Sequence, residues 1–328
     1  MTDESSAGRV VILSGGVGGA RFAAGMADWV PPEALTVVVN VGDDFEPFNL
    51  RVSPDIDTVC YTLAGLENPE TGWGRRDETW HAMETIETLG GPTWFRLGDR
   101  DLGLHLERTR RLAQGMPLSQ VTRAICQALG VRAQVLPATD DSLRTWVKVA
   151  EHGWLPFQEY FVRHQWRPRL MALAYRGATR ARPAPGVMEA LHEAEVILLA
   201  PSNPWLSLDP ILAVPGIRSV LQQKRAVAVS PFIAGRAVKG PAAKIARELG
   251  YTATPLSLAE YYQDILSGLV IDQADAAQAP LITQRTGIPV YITDTWMQGP
   301  EGRRRVAYSA WTFARLLASS RGVEEPAA

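Results

Sequence analysis

Arg9-Val10-Val11-Ile12-Leu13-Ser14-Gly15-Gly16-Val17-Gly18-Gly19-Ala20-Arg21-Phe22 is the stretch that decides the fold. It opens as a short β-branched run, passes through five residues that include four glycines, and continues from Ala20 to Trp29 with helical character. Strand, glycine loop and helix in that order begin an α/β layer. The next apolar run, 35–40, is continuous where a half-exposed strand would alternate, as expected of a strand covered on both faces, so the sheet is predicted to be parallel. Residues 194–200 and 226–230 repeat the pattern. Each ends in turn formers, Pro201-Ser202-Asn203-Pro204 and the segment 231–240. Helical stretches separate the strands at 78–89, 118–129, 241–249 and 304–317. The fold class that follows is α/β, a Rossmann-like doubly wound and mainly parallel sheet.

With 328 residues the chain is longer than one small domain needs. Between 145 and 182 the texture changes to aromatics interleaved with charges (Trp146, Trp154, Phe157, Tyr160, Phe161, Trp166), ending in Arg182-Pro183-Ala184-Pro185. This predicts a smaller inserted α/β subdomain at 145–182 between core segments 1–144 and 183–328. Hydrophobic residues make up 46% and charged residues 21%, which argues against a disordered or fibrous chain. Lys and Arg total 33 against 35 Asp and Glu, a net charge of −2, so there is no overall basic field to hold nucleic acid or an anionic membrane. The two cysteines, Cys60 and Cys126, form no CxxC pair and read as buried free thiols. A polar leader and the lack of any apolar run of about 18 residues point to a cytoplasmic protein.

Glycines between a strand and a helix let backbone N–H groups and the helix dipole meet a phosphate. Gly15, Gly16, Val17, Gly18 and Gly19 are therefore candidate nucleotide-phosphate ligands, with a ligand-free tight turn as the alternative. The loop does not fit the dinucleotide fingerprint, because Arg21 stands where its third glycine belongs and Asn40 where its ribose-binding acid belongs; nor does it carry the Lys-Ser/Thr of a Walker A loop. Just beyond the second strand come Gly42-Asp43-Asp44 and Pro54-Asp55-Ile56-Asp57-Thr58. Four carboxylates this close repel one another by roughly 1–4 kcal/mol per near-surface pair. Mg²⁺, which takes one or two carboxylates together with phosphate oxygens and water, would relieve that repulsion. Taken singly, Asp55 or Asp57 would serve as a helix cap, and Asp43 and Asp44 as turn formers.

Gly98-Asp99-Arg100-Asp101 reads either as a substrate-positioning group or as a surface salt-bridge turn, and Thr139-Asp140-Asp141 either as a polar binding loop or as turn chemistry. Ser202-Asn203 and Lys239-Gly240-Pro241 suit anion binding near a helix start. Trp73, flanked by glycines, is a candidate to stack on a flat ring, whereas Trp80 and Trp94 are expected to be buried. His81, His105, His152, His164 and His192 show no metal or nucleophile spacing and receive no catalytic role.

Together, and in this order and spacing, the motifs resemble the 2-phospho-L-lactate transferase family of coenzyme F-420 biosynthesis. They are Ser14 to Phe22, Val39-Asn40-Val41-Gly42-Asp43-Asp44, Pro54 to Thr58, Gly72-Trp73-Gly74-Arg75, Leu97 to Asp101, Thr139 to Asp141, Ala200 to Pro204 and Val238 to Pro241. The resemblance implies a transferase that moves a phospho-acid (enolpyruvyl, lactyl or glyceryl phosphate) from a guanosine diphosphate (GDP) carrier to the deazaflavin Fo, releasing GMP. It also implies a homodimer and Mg²⁺ as cofactor. Carried over by position, Asp43 and Asp57 would bind the metal, with Asp44 and Asp55 as alternatives, and Asp57 would be the general base. Asp57, Trp73, Asp99 and Arg100 would hold Fo, while Gly15 to Gly19, Thr139, Asp140, Ser202, Asn203, Lys239 and Gly240 would line the nucleotide. The segment 72–80 favours the bacterial phosphoenolpyruvate-type branch. Arg51-Val52-Ser53-Pro54 departs from the many relatives with cysteine before that proline. The competing reading is a non-enzymatic nucleotide-sugar-binding regulator of the gluconeogenesis-factor type.

Overall fold

The computed structural model describes residues 8–238 and 240–321. The chain runs β1 (Val10–Ser14), α1 (Gly16–Ala27), β2 (Leu35–Val39), α2 (Pro54–Leu63), α3 (His81–Thr88), α4 (Asp99–Ala113), α5 (Leu118–Ala128) and β3 (Gln134–Pro137). A small antiparallel unit follows, with β4 (Arg144–Val149), β5 (Gly153–Pro156) and β6 (Leu170–Arg176). The chain then returns through α6 (Val187–Glu193), β7 (Val196–Leu199), α7 (Asp209–Leu212), α8 (Ile217–Lys224) and β8 (Ala226–Val229). It continues with β9 (Phe232–Ile233), β10 (Arg236–Ala237), α9 (Ala242–Glu248), α10 (Pro255–Tyr261), β11 (Leu266–Asp272), α11 (Ala279–Thr286), β12 (Val290–Thr293) and α12 (Gly299–Arg321).

Seven parallel strands form the central sheet in the order β12-β11-β8-β7-β1-β2-β3. β1 lies between β2 and β7, with Ile12 opposite Val37 on one side and Leu198 on the other. Every residue of β1 and β2 is buried, which explains why their sequences are continuously apolar. Successive strands lead one way from β1 through β2 and β3, and the other way from β7 through β8, β11 and β12. The reversal between β1 and β7 opens a crevice at the carboxyl ends of the strands, where ligands of open α/β sheets sit. α12 closes one side by packing on α1 and across β7, β8 and β11. α5 lays Val121, Thr122, Ile125 and Cys126 inward at helical spacing.

Strands β11 and β12 extend the sheet beyond the apolar runs read from the sequence. On the edge strand β12, Tyr291 and Ile292 remain exposed. The three-stranded sheet β5-β4-β6 spans residues 144–176 and shares the main core through Leu143, Val147, Val149, Tyr160 and Leu170. It is tied to the crevice at two points: Thr145 N donates to Gly42 O at 2.7 Å, and Gln158 Nε2 to Asp43 O at 3.3 Å. Cys60 and Cys126 are both buried free thiols with sulfurs 3.4 Å apart. Trp80 and Trp94 are only half-buried, contrary to expectation. The Arg96 guanidinium covers the Trp80 ring at 4.7 Å, and Trp94 packs on Phe95 and Phe45, so neither indole needs the core to shelter it.

Candidate functional site

β1 delivers Gly15 to the N-cap of α1, and Gly16 turns the chain with φ +63°, a conformation that favours glycine. A Cβ on Gly18 would stand 2.7 Å from the Pro201 carbonyl, so glycine there lets the loop after β7 close on the helix start. Ser202 locks the two loops, with its hydroxyl donating to Gly15 O at 2.8 Å and accepting from Gly15 N at 3.2 Å. The Gly16 N–H is taken by Asp55 Oδ1 at 2.8 Å. By helix geometry the N–H groups of Val17 and Gly18 have no partner within α1, and they are the donors this helix start offers to an anion.

Asp43, Asp44, Asp55 and Asp57 are all buried beside this loop. Asn40, fully buried at the end of β2, organises three of the groups around it. Its Nδ2 faces Asp43 Oδ1 at 3.1 Å, Asp55 Oδ2 at 2.9 Å and Leu206 O at 3.1 Å, while its Oδ1 accepts from Gly42 N at 2.7 Å. Three acceptors share the two hydrogens of one amide, an excess of acceptor oxygen. Asp44 Oδ2 accepts from Ser53 Oγ at 2.9 Å, but its buried Oδ1 has no partner. Burial, reinforced by the charge of Asp55, pushes the Asp43 carboxyl well above the ordinary range. Burial also pushes Asp44 up to about 7, against the pull of Arg144, Ser53 and Arg108, and Asp55 up to about 6, against hydrogen bonds from Asn40 and Gly16. Asp55 caps nothing on its own helix; it reaches across to α1.

Asp57 differs from the other three acids in its partner. Arg108 of α4, with 0% exposure, donates Nη1 to Asp57 Oδ2 at 3.0 Å and pairs Nη2 with Asp57 Oδ1. Arg108 Nη1 also meets His105 Nδ1 at 3.2 Å. Because a guanidinium only donates, that contact makes Nδ1 the acceptor and leaves the ring proton on Nε2, which faces Asp101 Oδ1 at 3.5 Å. Asp101 Oδ1 in turn accepts from Tyr61 OH at 2.6 Å. Residue spacing in the sequence points to no role for Arg108 and to no catalytic role for His105. The signal available was the amphipathic helix itself: Asp99 and Asp101 in its first turn, Arg110 and Arg111 in its last, and Asp101, His105 and Arg108 on one face at i, i+4 and i+7.

The other candidates are spread more widely. Trp73 is 54% exposed between Gly72 and Gly74, both of positive φ. The Asp99 carboxylate accepts from Thr79 Oγ1 at 2.6 Å and from the N–H groups of His81 and Ala82 at 3.1 Å, so it caps α3, and these bonds hold it below the usual carboxylate range. Arg100 is exposed, with its N–H on Glu78 Oε2 at 2.8 Å. Asp140 binds Ser119 N at 2.6 Å and Ser119 Oγ at 2.8 Å, at the start of α5. Thr139 is buried and accepts from Asp141 N at 3.0 Å. Asn203 caps the π-helical turn Pro204–Leu208 through Trp205 N and Leu206 N at 3.1 and 3.2 Å. Gly240 has φ +73°, and Lys239 lies outside the described residues. Among the described residues no three His, Cys, Asp or Glu side chains converge as a closed metal cage. An open site of one or two carboxylates completed by phosphate is the arrangement Mg²⁺ accepts, and the partnerless Asp44 oxygen and crowded acceptors at Asn40 suit such a cation. No helix among the described residues is long and apolar enough to cross a membrane.

Over residues 10–293 the chain matches the family described as 2-phospho-L-lactate transferase CofD. It is 42% identical over 322 residues to a phosphoenolpyruvate transferase of Thermobifida fusca (strain YX), covering 94% of this chain and 98% of that protein. It is 44% identical over 313 residues to a phosphoenolpyruvate transferase of Streptomyces coelicolor, covering 93% and 98%. Among solved structures, a UPF0052 family member from Bacillus halodurans aligns with a TM-score of 0.64 at 16% identity, covering 93% of this chain and 99% of that one, a likeness of fold. The family match runs from the first residue of β1 to the last of β12, through the glycine loop and all four buried carboxylates, and the chain belongs to the 2-phospho-L-lactate transferase CofD family.

Proposed function

We propose that the protein transfers a phosphorylated three-carbon acid from a guanosine diphosphate carrier to the terminal hydroxyl of the deazaflavin Fo, with GMP as the leaving group. The observation that carries this reading is the buried carboxylate group with an unpaired Asp44 oxygen, set against the glycine-loop start of α1 in the crevice between β1 and β7. The enolpyruvyl group is the favoured cargo, since the relatives above 40% identity carry the name phosphoenolpyruvate transferase.

In this reading the hydroxyl oxygen of Fo forms a new P–O bond to the acid-bearing phosphorus, the bond from that phosphorus to the GMP oxygen breaks, and the hydroxyl proton passes to Asp57. Phosphoryl transfer asks a protein chiefly for alignment and charge neutralisation. Val17 and Gly18 N–H groups hold the diphosphate, Ser202 keeps the two loops in register, and Asp57 orients the acceptor. Asp43 and Asp44 are the carboxylates that would hold Mg²⁺, the alternative Asp44 standing in for Asp57 because its Oδ1 has no partner whereas both Asp57 oxygens face Arg108. When bound, the ion would offset the negative charge of phosphate and carboxylates together. A mass-spectrometric assay with Mg²⁺, Fo and each of the enolpyruvyl, lactyl and glyceryl guanosine diphosphates tests the reaction. Expected are GMP release and a mass gain on Fo, both abolished by EDTA. Product from none of the donors would defeat the reading and leave a protein that binds nucleotide without turning it over.

A further inference from the structure

We propose that Arg108 is a positioning residue of this site, fixing the Asp57 carboxylate by both oxygens so that its remaining lone pairs present one orientation to the acceptor hydroxyl. This rests on the reading of Asp57 as the carboxylate that meets that hydroxyl. Four buried acids share the crevice, and among the described residues Asp57 is the one of the four whose carboxylate pairs with Arg or Lys. The pair is bidentate, which fixes direction as well as distance. A carboxylate has about four acceptor positions, so two contacts from Arg108 leave room for a substrate hydroxyl. Arg108 is itself held, by His105 Nδ1 at 3.2 Å and the Arg51 carbonyl at 3.4 Å. His105 in turn is backed by Asp101, which Tyr61 of α2 holds from the helix that carries Asp57.

A stability role alone does not account for this arrangement. Desolvating both charges offsets most of their attraction, and apolar side chains of similar volume commonly serve a fold as well as a buried ion pair does. The guanidinium also leaves its buried Nε without a hydrogen-bond partner, and His105 Nε2 reaches Asp101 Oδ1 only at 3.5 Å. Such a network costs more than packing requires, and what it supplies is a carboxylate held in one place.

Arg108→Lys keeps the charge but cannot make the two-point contact. The expected result is a folded protein whose affinity for GDP by calorimetry stays within about twofold and whose KM for Fo stays within about threefold, while kcat falls ~100-fold, the scale of a misplaced reacting group. A second pair acts one contact further out. His105→Gln, whose amide oxygen accepts from Arg108, should retain kcat within about threefold, whereas His105→Leu should lose about tenfold. The proposal is overturned if Arg108→Lys and His105→Leu both turn over like wild type, or if kcat, GDP affinity and thermal midpoint all fall in parallel, as a plain folding defect would produce. Should Arg108→Lys fail to fold, the two His105 variants decide, and equal kcat for Leu and Gln overturns it. Wild-type protein that yields no product from any donor defeats the functional reading instead, so the two failures are distinguishable.

Discussion

Asp44 shows how unevenly charge is compensated within a few ångströms. One of its oxygens has Ser53, the other has nothing, and burial pushes its carboxyl up to about 7. In the unfolded chain the same group titrates near 4. The folded protein therefore holds a proton that the unfolded chain has already released between those values. A carboxyl raised in the folded state contributes stability that is fully present below pH ~4 and is lost as pH rises through about 7. Asp55 and Asp209, each pushed up to about 6 by burial, act in the same direction over a slightly lower window. In EDTA, the wild-type thermal midpoint should fall between pH 5 and 8, and Asp44→Asn should flatten that fall and be the more stable protein at pH 8, by on the order of a few kcal/mol. Calorimetric melts across that range check it; an unchanged slope in the variant would remove Asp44 from the account.

Helix α4 opens on residues that mimic a turn, and it carries the side chains that hold Asp57. Gly98-Asp99-Arg100-Asp101 looks like a turn because alternating charges and a glycine satisfy turn chemistry, yet Gly98 is the N-cap and the two acids lie in the first turn of the helix. What the sequence could not show is that Arg108 and His105 of α4 face Asp57 of α2, since that depends on how the two helices are placed. Strand ends were easier, because a continuous apolar run followed by Gly or Pro has few other meanings. Local hydrogen bonding also separates binding loops from capping loops in a way residue type does not. Asp140 is expected to line the nucleotide, and its carboxylate engages the first turn of α5 through Ser119. Asp140→Ala should accordingly cost about 1 kcal/mol, as lost helix caps do, and leave GDP affinity unchanged. Weaker GDP binding at an unaltered thermal midpoint would instead support the nucleotide role.

At the scale of the whole molecule, the parallel sheet was legible because each of β1, β2, β7 and β8 is buried along its length and shows no alternation. The strand order was not. The reversal at β1 and β7, which places Gly15 against Ser202, arises from contacts 187 residues apart. That reversal brings the donors of α1 and the carboxylates after β2 into one crevice, and the two have opposite needs. The helix start favours an anion, while Asp43, Asp44 and Asp55 disfavour one until a cation offsets them. Diphosphate and Mg²⁺ should therefore bind with positive coupling, each lowering the cost the other meets. A ligand at 100 times its dissociation constant stabilises by about 2.7 kcal/mol. In a thermal-shift matrix, GDP in EDTA and Mg²⁺ without nucleotide should each raise the midpoint slightly, and the two together by more than the sum. Strictly additive shifts would mean that nucleotide and ion do not share the site, and the placement of both at the β1–β7 crevice would have to be abandoned.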